Sequence, residues 1–453
     1  MASAAEQMAA NLSWSALGKA TDLRSRIIFT VGLLIVYRIG TYIPVPGIDA
    51  LALQKYMEQV NQGIGGLLNM FSGGAISRMG VFALGIMPYI SASIIVQLLA
   101  SMVPQLESLK KEGEAGRKKI NQYTRYATVF LALFQAYGLA RSLEAGELVQ
   151  NPGLYFQLAC VITLVGGTLL LMWVGEQITA RGIGNGISLI IFVGIVSGFP
   201  QAIAQFLAQG RTGAVSPVVI LAVMVMVVAV LGFVVTMERA LRKIHIQYPR
   251  RQVGMKVYDG GSSHLPIKVN PAGVIPAIFA SSLLLLPTTI STFSGGNTGT
   301  VMSYILAYFG PGQPLHMIFY AALIVFFSYF YTANVAFKTE DVAENLKNQN
   351  GFIPGFRPGQ QTVDYLDRIV ARILVLGSAY LTAVCLLPEI LRSQFAIPFY
   401  FGGTSVLIVV SVTMDTINQI QSHLLAHQYE GLIERSQLRG KKRSGTPKLP
   451  ARR

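Results

Sequence analysis

The sequence predicts an all-α polytopic membrane protein with ten transmembrane helices. Of its 453 residues, 52% are hydrophobic and only 13% are charged, whereas a soluble domain carries about 25% charged residues. Apolar runs long enough to cross a bilayer, which takes about 20 residues, recur along the whole chain. The basic residues collect in alternate loops between these runs. Together these observations predict a protein that lies mostly within a membrane.

The apolar runs define the ten predicted spans. They lie at 24–43, 79–103, 126–144, 154–174, 185–206, 216–237, 272–290, 315–336, 369–388 and 399–421. The first run is flanked by Arg24 and Arg26 and has no small-residue cleavage site. It is therefore predicted to be a retained helix and not a cleaved signal peptide.

Lysine and arginine are distributed unevenly between the two sides of the predicted membrane. With a cytoplasmic N-terminus, 30 of the 36 basic residues fall in cytoplasmic segments and six fall on the other side. This excess follows the positive-inside rule, so both termini are predicted to be cytoplasmic. The net charge of +15 then lies mostly on that side, where the larger loops are also suited to an acidic partner such as RNA.

An odd number of spans in each half predicts that the two halves are inverted. A short glycine-containing link at 207–215 follows the fifth span, so the second set of five enters the membrane in the opposite orientation. We therefore expect an N-terminal half at 1–206, a C-terminal half at 216–421 and a basic cytoplasmic tail at 422–453. Inverted halves are common in proteins that open alternately or laterally.

A short apolar element precedes the second span. Residues 63–71 are apolar but too few to cross a bilayer, and Ser72-Gly73-Gly74 then interrupts them. Short elements of this kind are re-entrant or interfacial, and irregular backbone at membrane depth persists only where protein or water surrounds it. The segment 63–74 is therefore predicted to be a re-entrant plug over a central cavity, on the non-cytoplasmic side.

The second span of each half contains a matching interruption. Gly85-Ile-Met-Pro88 in the first half corresponds to Gly273-Val-Ile-Pro276 in the second. Paired interruptions in corresponding spans indicate the working site of such a fold. If these spans line a pore, its midplane is predicted to carry Ile86, Ile90 and Ile278. Branched aliphatic side chains gate by excluding water and do not select ions.

Two cytoplasmic loops are long enough to stand out of the membrane. The loop 238–271 is rich in basic residues, and the loop 337–368 places Arg357 between prolines and glycines. Pro/Gly pairs fix the backbone, and an arginine held in this way suits recognition.

The sequence lacks the motifs of several enzyme classes. It contains no His-Glu-x-x-His run, no phosphate-binding loop and no Gly-x-Ser-x-Gly. Cys160 and Cys385 lie inside apolar spans without metal-ligand neighbours. We therefore expect no catalytic activity, cofactor, disulfide or metal. Charged residues are nearly missing from the span interiors, which favours a passive conduit over an ion-coupled transporter.

Several long motifs resemble those of the bacterial SecY family, which comprises the central subunits of the Sec protein-conducting channel. The resemblance covers essentially the whole chain. Its distinctive motifs, each numbered at its first residue, are Arg38-Ile-Gly-Thr-Tyr-Ile-Pro-Val-Pro-Gly, Asn69-Met-Phe-Ser-Gly-Gly-Ala, Ala83-Leu-Gly-Ile-Met-Pro-Tyr-Ile-Ser, Arg181-Gly-Ile-Gly-Asn-Gly-Ile-Ser, Ala272-Gly-Val-Ile-Pro-Ala-Ile-Phe-Ala, Arg357-Pro-Gly and Phe399-Tyr-Phe-Gly-Gly-Thr-Ser.

The resemblance implies three groups of residues in the membrane. The pore ring is expected at Ile86, Ile90, Ile187, Ile191, Ile278 and Ile408. The plug is expected to include Gly65, Leu67, Asn69, Met70, Phe71, Ser72 and Gly73. The lateral gate between spans two and seven is expected to present Ser91, Ser93, Gln97, Ser281 and Ser282.

The resemblance also implies partners and a location. The expected partners are the SecE and SecG subunits, the SecA ATPase, the ribosome, secretory and membrane-protein precursors, and the phospholipid bilayer of the bacterial inner membrane. The residues expected to dock SecA or ribosomal RNA are Arg357, Pro358, Gly359, Arg242, Lys243, Arg250, Arg251 and Lys256. The expected function is passive passage of unfolded chains and lateral release of apolar segments. A secondary transporter and an intramembrane hydrolase are the alternatives; the first is disfavoured by the missing midplane charge, the second by the missing catalytic motif.

Overall fold

The chain is mostly helical in a computed structural model. The structure describes residues 21–60, 69, 72–211, 216–249, 251–253, 256–258, 261–293, 313–395 and 403–443.

Seven helices make up the described part of the N-terminal half. They are α1 (Thr21–Gly40), α2 (Ala50–Val60), α3 (Met87–Met102), α4 (Pro104–Lys111), α5 (Glu114–Ala145), α6 (Leu154–Arg181) and α7 (Gly186–Arg211). The helices α3 and α4 are bent by 101° at the break between them. The predicted link at 207–215 is shorter than expected, because α7 continues to Arg211.

The C-terminal half begins where Ser216 caps a helix, its side chain accepting a hydrogen bond from the Val219 amide. Its helices are α8 (Pro217–Arg239), α9 (Ile275–Phe293), α10 (Pro314–Tyr331), α11 (Thr339–Asn348), α12 (Gln360–Phe395) and α13 (Gly403–Arg443). A π-helical segment, Thr332–Ala336, follows α10 directly. The helix α13 continues well into the predicted tail.

Each of the ten predicted spans overlaps one helix of the structure: α1, α3, α5, α6, α7, α8, α9, α10, α12 and α13. Within the described residues, five helices are long and apolar enough to cross a membrane, and six if α3 and α4 count as one bent span. The multi-pass architecture therefore has direct support, while the count of ten stays a prediction.

Pro88 and Pro276 lie in the first turns of helices and do not bend them. Residues 79–86 form turns, and α3 starts at Met87 with Pro88 in its first turn. The second half repeats this arrangement, since α9 starts at Ile275 with Pro276 as its second residue. Proline lacks an amide hydrogen and is tolerated in the first turn of a helix. The second span therefore begins as a helix later than residue 79, the predicted start.

Glycines with positive φ precede both of these helix starts. Gly85 has φ +56° and Gly273 has φ +62°, a region that glycine enters without steric cost. The two halves therefore share a local structure: a turn with a left-handed glycine, followed by a helix that has proline in its first turn.

A two-stranded ribbon, which sequence analysis did not predict, lies in the loop 238–271. Strand β1 (Leu241–Gln247) pairs antiparallel with β4 (Ser262–Lys268), with His245 opposite His264. Between them β2 (Arg251–Val253) pairs with β3 (Lys256–Tyr258). Only the alternating Ile244 and Ile246 are buried on β1, the pattern of a strand with one solvated face.

The main core joins both halves. Helix α9 packs against α3 and α5, and α7 packs against α13. Its buried side chains come from α1, α3, α6 and α7 of the first half and from α8, α9, α10, α12 and α13 of the second. A second cluster lies within the first half, around the alanines of α5 and the buried Cys160 of α6.

Candidate functional site

The main core contains four of the six isoleucines predicted for the pore ring, and the other two pack against it. Ile86 and Ile90 at the start of α3 are 4% and 7% exposed, and Ile408 on α13 is 1% exposed. The others are the buried Ile191 of α7 and the partly buried Ile187 of α7 and Ile278 of α9. The structure therefore brings together residues that are up to 322 positions apart, from Ile86 to Ile408, in one apolar cluster.

The described part of the predicted plug is a turn that hydrogen-bonds to itself. The Asn69 side-chain oxygen accepts from the Ser77 amide at 3.0 Å, and the Asn69 carbonyl accepts from the Ser72 hydroxyl at 2.9 Å. Gly74 also donates to the Asn69 carbonyl, at 2.8 Å. Ala75 in this turn is fully buried in the same cluster as the isoleucines. The remaining predicted plug residues, Gly65, Leu67, Met70 and Phe71, lie outside the described residues.

The two helices between which the lateral gate is predicted, α3 and α9, are in contact. On α3, the Gln97 side-chain nitrogen donates to the Ser93 hydroxyl at 3.0 Å, and Ser91 is partly buried. On α9, the Ser281 hydroxyl donates to the Ile278 carbonyl at 3.0 Å. Gln97 Oε1 and Ser282 Oγ are buried without a hydrogen-bond partner. Unsatisfied buried polar atoms cost free energy, so each of the two helices carries one buried polar atom that reduces the stability of its packing.

Asn270 organises the start of α9, a role that sequence analysis missed. Its side chain is almost fully buried and donates to Glu238 Oε1 at 2.9 Å and to the Gly273 carbonyl at 3.0 Å. These bonds tie the turn before α9 to the end of α8. An Asn-Pro pair such as that at 270–271 favours a turn, but no local pattern indicates Glu238 as the partner of Asn270.

The two long loops that are predicted to be cytoplasmic form one unit. Gln247 at the end of β1 exchanges two main-chain hydrogen bonds with Phe352 of the second loop, each 2.9 Å long. Ile244 and Ile267 of the ribbon share a small buried cluster with Ile353 and Leu366. The predicted loops 238–271 and 337–368 therefore form a single structural unit, which we call the platform.

Arg357 stands exposed on this platform with its backbone held in place. Its carbonyl accepts from the Thr362 hydroxyl at 2.9 Å, and its amide donates to Gln361 Oε1 at 3.3 Å. Pro358 is also exposed, and Gly359 has φ +116°. The turn therefore presents the guanidinium to solvent from a fixed main chain.

The predicted basic cluster is only partly described. Arg242 and Lys243 are exposed on β1. Arg251 and Lys256 lie on β2 and β3, of which the structure describes the backbone, and Arg250 lies outside the described residues.

Lys110 links the first half to the second at the end that is predicted to be cytoplasmic. Its ammonium donates to the Asn334 carbonyl at 2.9 Å, within the π-helical segment. Burial, followed by the positive charges of Lys338 and Arg117, lowers the pKa of Lys110, while Glu107 opposes this shift.

Comparison with known families decides the assignment. A family model described as SecY matches residues 80–417, about three quarters of the chain. The chain belongs to the SecY family. The SecY proteins among its relatives include the protein translocase subunit SecY of Escherichia coli (strain K12), 52% identical over 431 residues that cover 94% of this chain and 97% of the relative. That of Rickettsia typhi is 52% identical over 423 residues, with 92% and 97% covered.

Solved structures support the fold at lower sequence identity. A protein-conducting channel matches with a TM-score of 0.65 and 20% identity, covering 87% of this chain and 91% of the other. The Sec61 chain of a canine ribosome–channel complex matches with a TM-score of 0.61 and 19% identity over the same shares of the two chains. A SecY whose plug domain stabilises the closed channel and maintains a membrane seal matches with a TM-score of 0.61 and 21% identity.

The family membership fixes the function in outline. This SecY-family chain is a multi-pass membrane protein and the channel subunit of a protein translocase. The predicted fold class and function are confirmed at that level, and the alternatives of a secondary transporter and an intramembrane hydrolase are set aside.

Proposed function

We propose that unfolded secretory chains pass outward through the centre of the main core, and that Ile86, Ile90, Ile187, Ile191, Ile278 and Ile408 form its constriction. The observation that carries this proposal is that all six belong to or pack against one apolar cluster, to which α3, α7, α9 and α13 of both halves bring them. Branched aliphatic side chains close such a constriction by excluding water. They also contact a passing chain of varied sequence without specific hydrogen bonds.

The plug closes this constriction on the outer side. Asn69 accepts hydrogen bonds from Ser72, Gly74 and Ser77, and Ala75, directly after the predicted plug, packs into the same cluster as the isoleucines. These local bonds can persist while the turn leaves the apolar cluster as a unit, so only its contacts with the rest of the chain must break when a translocating chain enters.

The seam between α3 and α9 is the lateral gate that releases apolar segments into lipid. Its unpartnered Gln97 Oε1 and Ser282 Oγ support this assignment, because polar atoms buried without partners reduce the stability of a closed seam. The two halves, 1–206 and 216–421, would then move apart at α3 and α9 while the short link after α7 keeps them joined at the back.

The cytoplasmic platform docks the partners that drive translocation. Arg357, Pro358 and Gly359 contact the SecA motor, and the basic residues Arg242, Lys243, Arg250, Arg251 and Lys256 contact ribosomal RNA phosphates. SecE and SecG complete the complex in the bacterial inner membrane, with both termini of this chain cytoplasmic. The channel itself forms and breaks no bonds. The fixed backbone and exposed side chain of Arg357 and the excess of cytoplasmic lysine and arginine support these assignments.

A photo-crosslinking experiment tests the pore. A photoreactive amino acid replaces Ile278, and a secretory precursor is stalled during transit through the assembled, active complex. Adducts to the precursor are expected. The matched control carries the same amino acid at Ile162, an isoleucine of α6 that is 70% exposed, and should give no precursor adducts. Equal yields at the two positions, or no adducts at Ile278, would contradict the pore assignment.

A further inference from the structure

We infer that Arg38 is the positioning residue that fastens the plug turn to the N-terminal half in the closed channel. This inference rests on the proposed role of the plug. Arg38 lies in the last turn of α1, on the non-cytoplasmic side, and belongs to none of the groups assigned above. Its guanidinium joins three segments of the chain that are distant in sequence.

The Arg38 side chain and the groups that accept its hydrogen bonds form an attachment that we call the clasp. One terminal nitrogen donates to the Gly73 carbonyl at 3.0 Å and to the Ser197 hydroxyl of α7 at 2.9 Å. The other donates to the Tyr42 hydroxyl at 3.3 Å. Ser197 is oriented to accept this bond, because its own hydroxyl hydrogen goes to the Gly194 carbonyl at 2.7 Å. Hydrogen bonds with an ionised donor are about twice as strong as neutral ones.

The neighbouring residue of α1 supports the same attachment. The Tyr37 hydroxyl donates to the Ser72 carbonyl at 3.4 Å, and the Tyr37 side chain is almost fully buried. Consecutive side chains of α1 therefore hold the carbonyls of consecutive plug residues. Both donors come from a helix that ends beside the plug, so the helix sets the position of the turn.

The backbone at Gly73 fits this clasp so closely that a side chain there would disrupt it. Gly73 has φ +67°, and a Cβ atom would lie 2.7 Å from the Tyr37 hydroxyl and 3.2 Å from the Cα of Gly194 on α7. The plug turn thus sits directly on α1 and α7, which exposes the Gly73 carbonyl to the guanidinium. Arginine suits this site because its planar fork serves several acceptors at once, which a single lysine ammonium does not do in the same geometry.

The hydrogen-bond acceptors of Arg38 among the described residues, Gly73, Ser197 and Tyr42, all belong to the first half. The clasp therefore stabilises the plug only in its closed position. Loss of the charge-assisted bonds should raise the population of the displaced plug about tenfold, which corresponds to about 1.4 kcal/mol. We therefore expect Arg38→Gln to raise the ion conductance of the resting channel in planar bilayers. The same shift should let precursors with weakened signal sequences be translocated, since less free energy is then needed to open the channel.

One control variant separates the clasp from charge, and a second variant removes part of the clasp. Arg78→Gln removes a nearby positive charge that stacks on the Tyr42 ring at 4.1 Å and should conduct like the unmodified channel. Tyr42→Phe keeps that ring but removes one acceptor of Arg38, so it should raise the conductance by less than Arg38→Gln does. Arg38→Lys retains the charge and should give an intermediate conductance. If Arg38→Gln conducts no more than Arg78→Gln, the inference is overturned.

A second readout tests the clasp independently of sealing. Ala75 is fully buried in the plug turn, so Ala75→Cys, with Cys160 and Cys385 replaced by serine, reports movement of the turn through its rate of alkylation from outside. This rate should rise about tenfold with Arg38→Gln and stay unchanged with Arg78→Gln. An unchanged rate with Arg38→Gln would overturn the inference.

Deletion of residues 64–72 separates failure of the clasp from failure of the plug. If the deletion raises conductance while Arg38→Gln changes neither conductance nor alkylation, the clasp is wrong and the plug stands. If the deletion leaves conductance unchanged while Arg38→Gln still speeds alkylation, the clasp stands and the sealing role of the plug is wrong. In the deleted background, Arg38→Gln should add nothing to the conductance, whereas a general structural role would still change it.

Discussion

Lys110 and Asn334, 224 residues apart, are joined by a 2.9 Å hydrogen bond from the lysine ammonium to the asparagine carbonyl. Lys110 lies on α4, which follows the gate helix α3, and Asn334 lies in the π-helical segment after α10. A π-helical segment shifts the main-chain hydrogen bonds, as the bond from the Phe337 amide to the Thr332 carbonyl shows, and such segments are frequent at functional sites. Lys110 therefore bridges the two halves at a carbonyl made available by this irregular backbone.

Replacing Lys110 should loosen the cytoplasmic end of the closed seam. Lys110→Met keeps the length of the side chain but removes the donor, so the closed arrangement should lose about 1 kcal/mol, the net worth of one hydrogen bond. Spin labels at Met102 and Val335, both exposed, should then show a larger population at long distances. Lys118→Met removes an exposed charge from α5 and should leave the distances unchanged. Identical distributions in the two variants would rule out a role for Lys110 in holding the seam.

Deleting residues 64–72 should produce a folded but leaky channel. The deletion removes the plug, while the isoleucine cluster is built by helices that lie elsewhere in the chain. The expected result is a higher ion conductance in planar bilayers with little change in the thermal unfolding midpoint. A deletion of equal length at 445–453, in the cytoplasmic tail, serves as the control. Unchanged conductance after removal of 64–72 would argue against a sealing function.

Ribosome binding should weaken with salt. A basic cluster that contacts phosphates releases counterions, so the affinity should fall steeply between about 50 and 200 mM salt. Arg242→Gln combined with Lys243→Gln removes two exposed charges of β1 and should reduce the slope of log affinity against log salt by about 2. Lys55→Gln with Arg141→Gln removes the same charge from the predicted outer side and should leave the slope unchanged. An affinity insensitive to salt would contradict the phosphate contact.

The sequence predicted the positions of the helices well because apolar run length is a direct consequence of bilayer thickness. All ten predicted spans overlap helices, and the paired Gly/Pro signals coincide with the starts of α3 and α9. The paired interruptions predicted Ile86, Ile90 and Ile278, and the family resemblance added Ile187, Ile191 and Ile408. Periodicity predicted none of them, since any isoleucine in an apolar run satisfies the same pattern. Their convergence depends on the packing of four helices, which no local signal encodes.

The contacts that could not be predicted from the sequence are hydrogen bonds between polar groups that are distant along the chain. Arg38 was counted only as an outer-side charge, and nothing in its surroundings indicated the Gly73 carbonyl or Ser197 as acceptors. Main-chain carbonyls carry no sequence signal, so the Lys110 bond to Asn334 was equally hidden. The ribbon β1–β4 was missed because a solvated two-stranded ribbon leaves only alternate apolar residues, here Ile244 and Ile246, within a strongly basic loop.

Gly166 and Gly167, adjacent on α6, provide a test of how α6 packs against the turn that precedes α3. A Cβ atom on Gly167 would overlap the carbonyl of Val81 in the turn before α3, whereas a Cβ atom on Gly166 would meet nothing within 4 Å. Gly167→Ala should therefore destabilise the protein by about 1–3 kcal/mol, as overpacking of a close contact does.

The neighbouring Gly166→Ala should be neutral or stabilising by up to about 1 kcal/mol, because alanine is the better helix former. Both changes add the same methyl group to the same helix, so their effects on helix propensity are closely matched. Thermal unfolding followed by the labelling of Cys160, buried on α6, measures the difference directly. Equal midpoints for the two variants would mean that α6 does not pack against Val81. The turn that leads into α3 would then lack the support from α6 that the close approach at Gly167 provides.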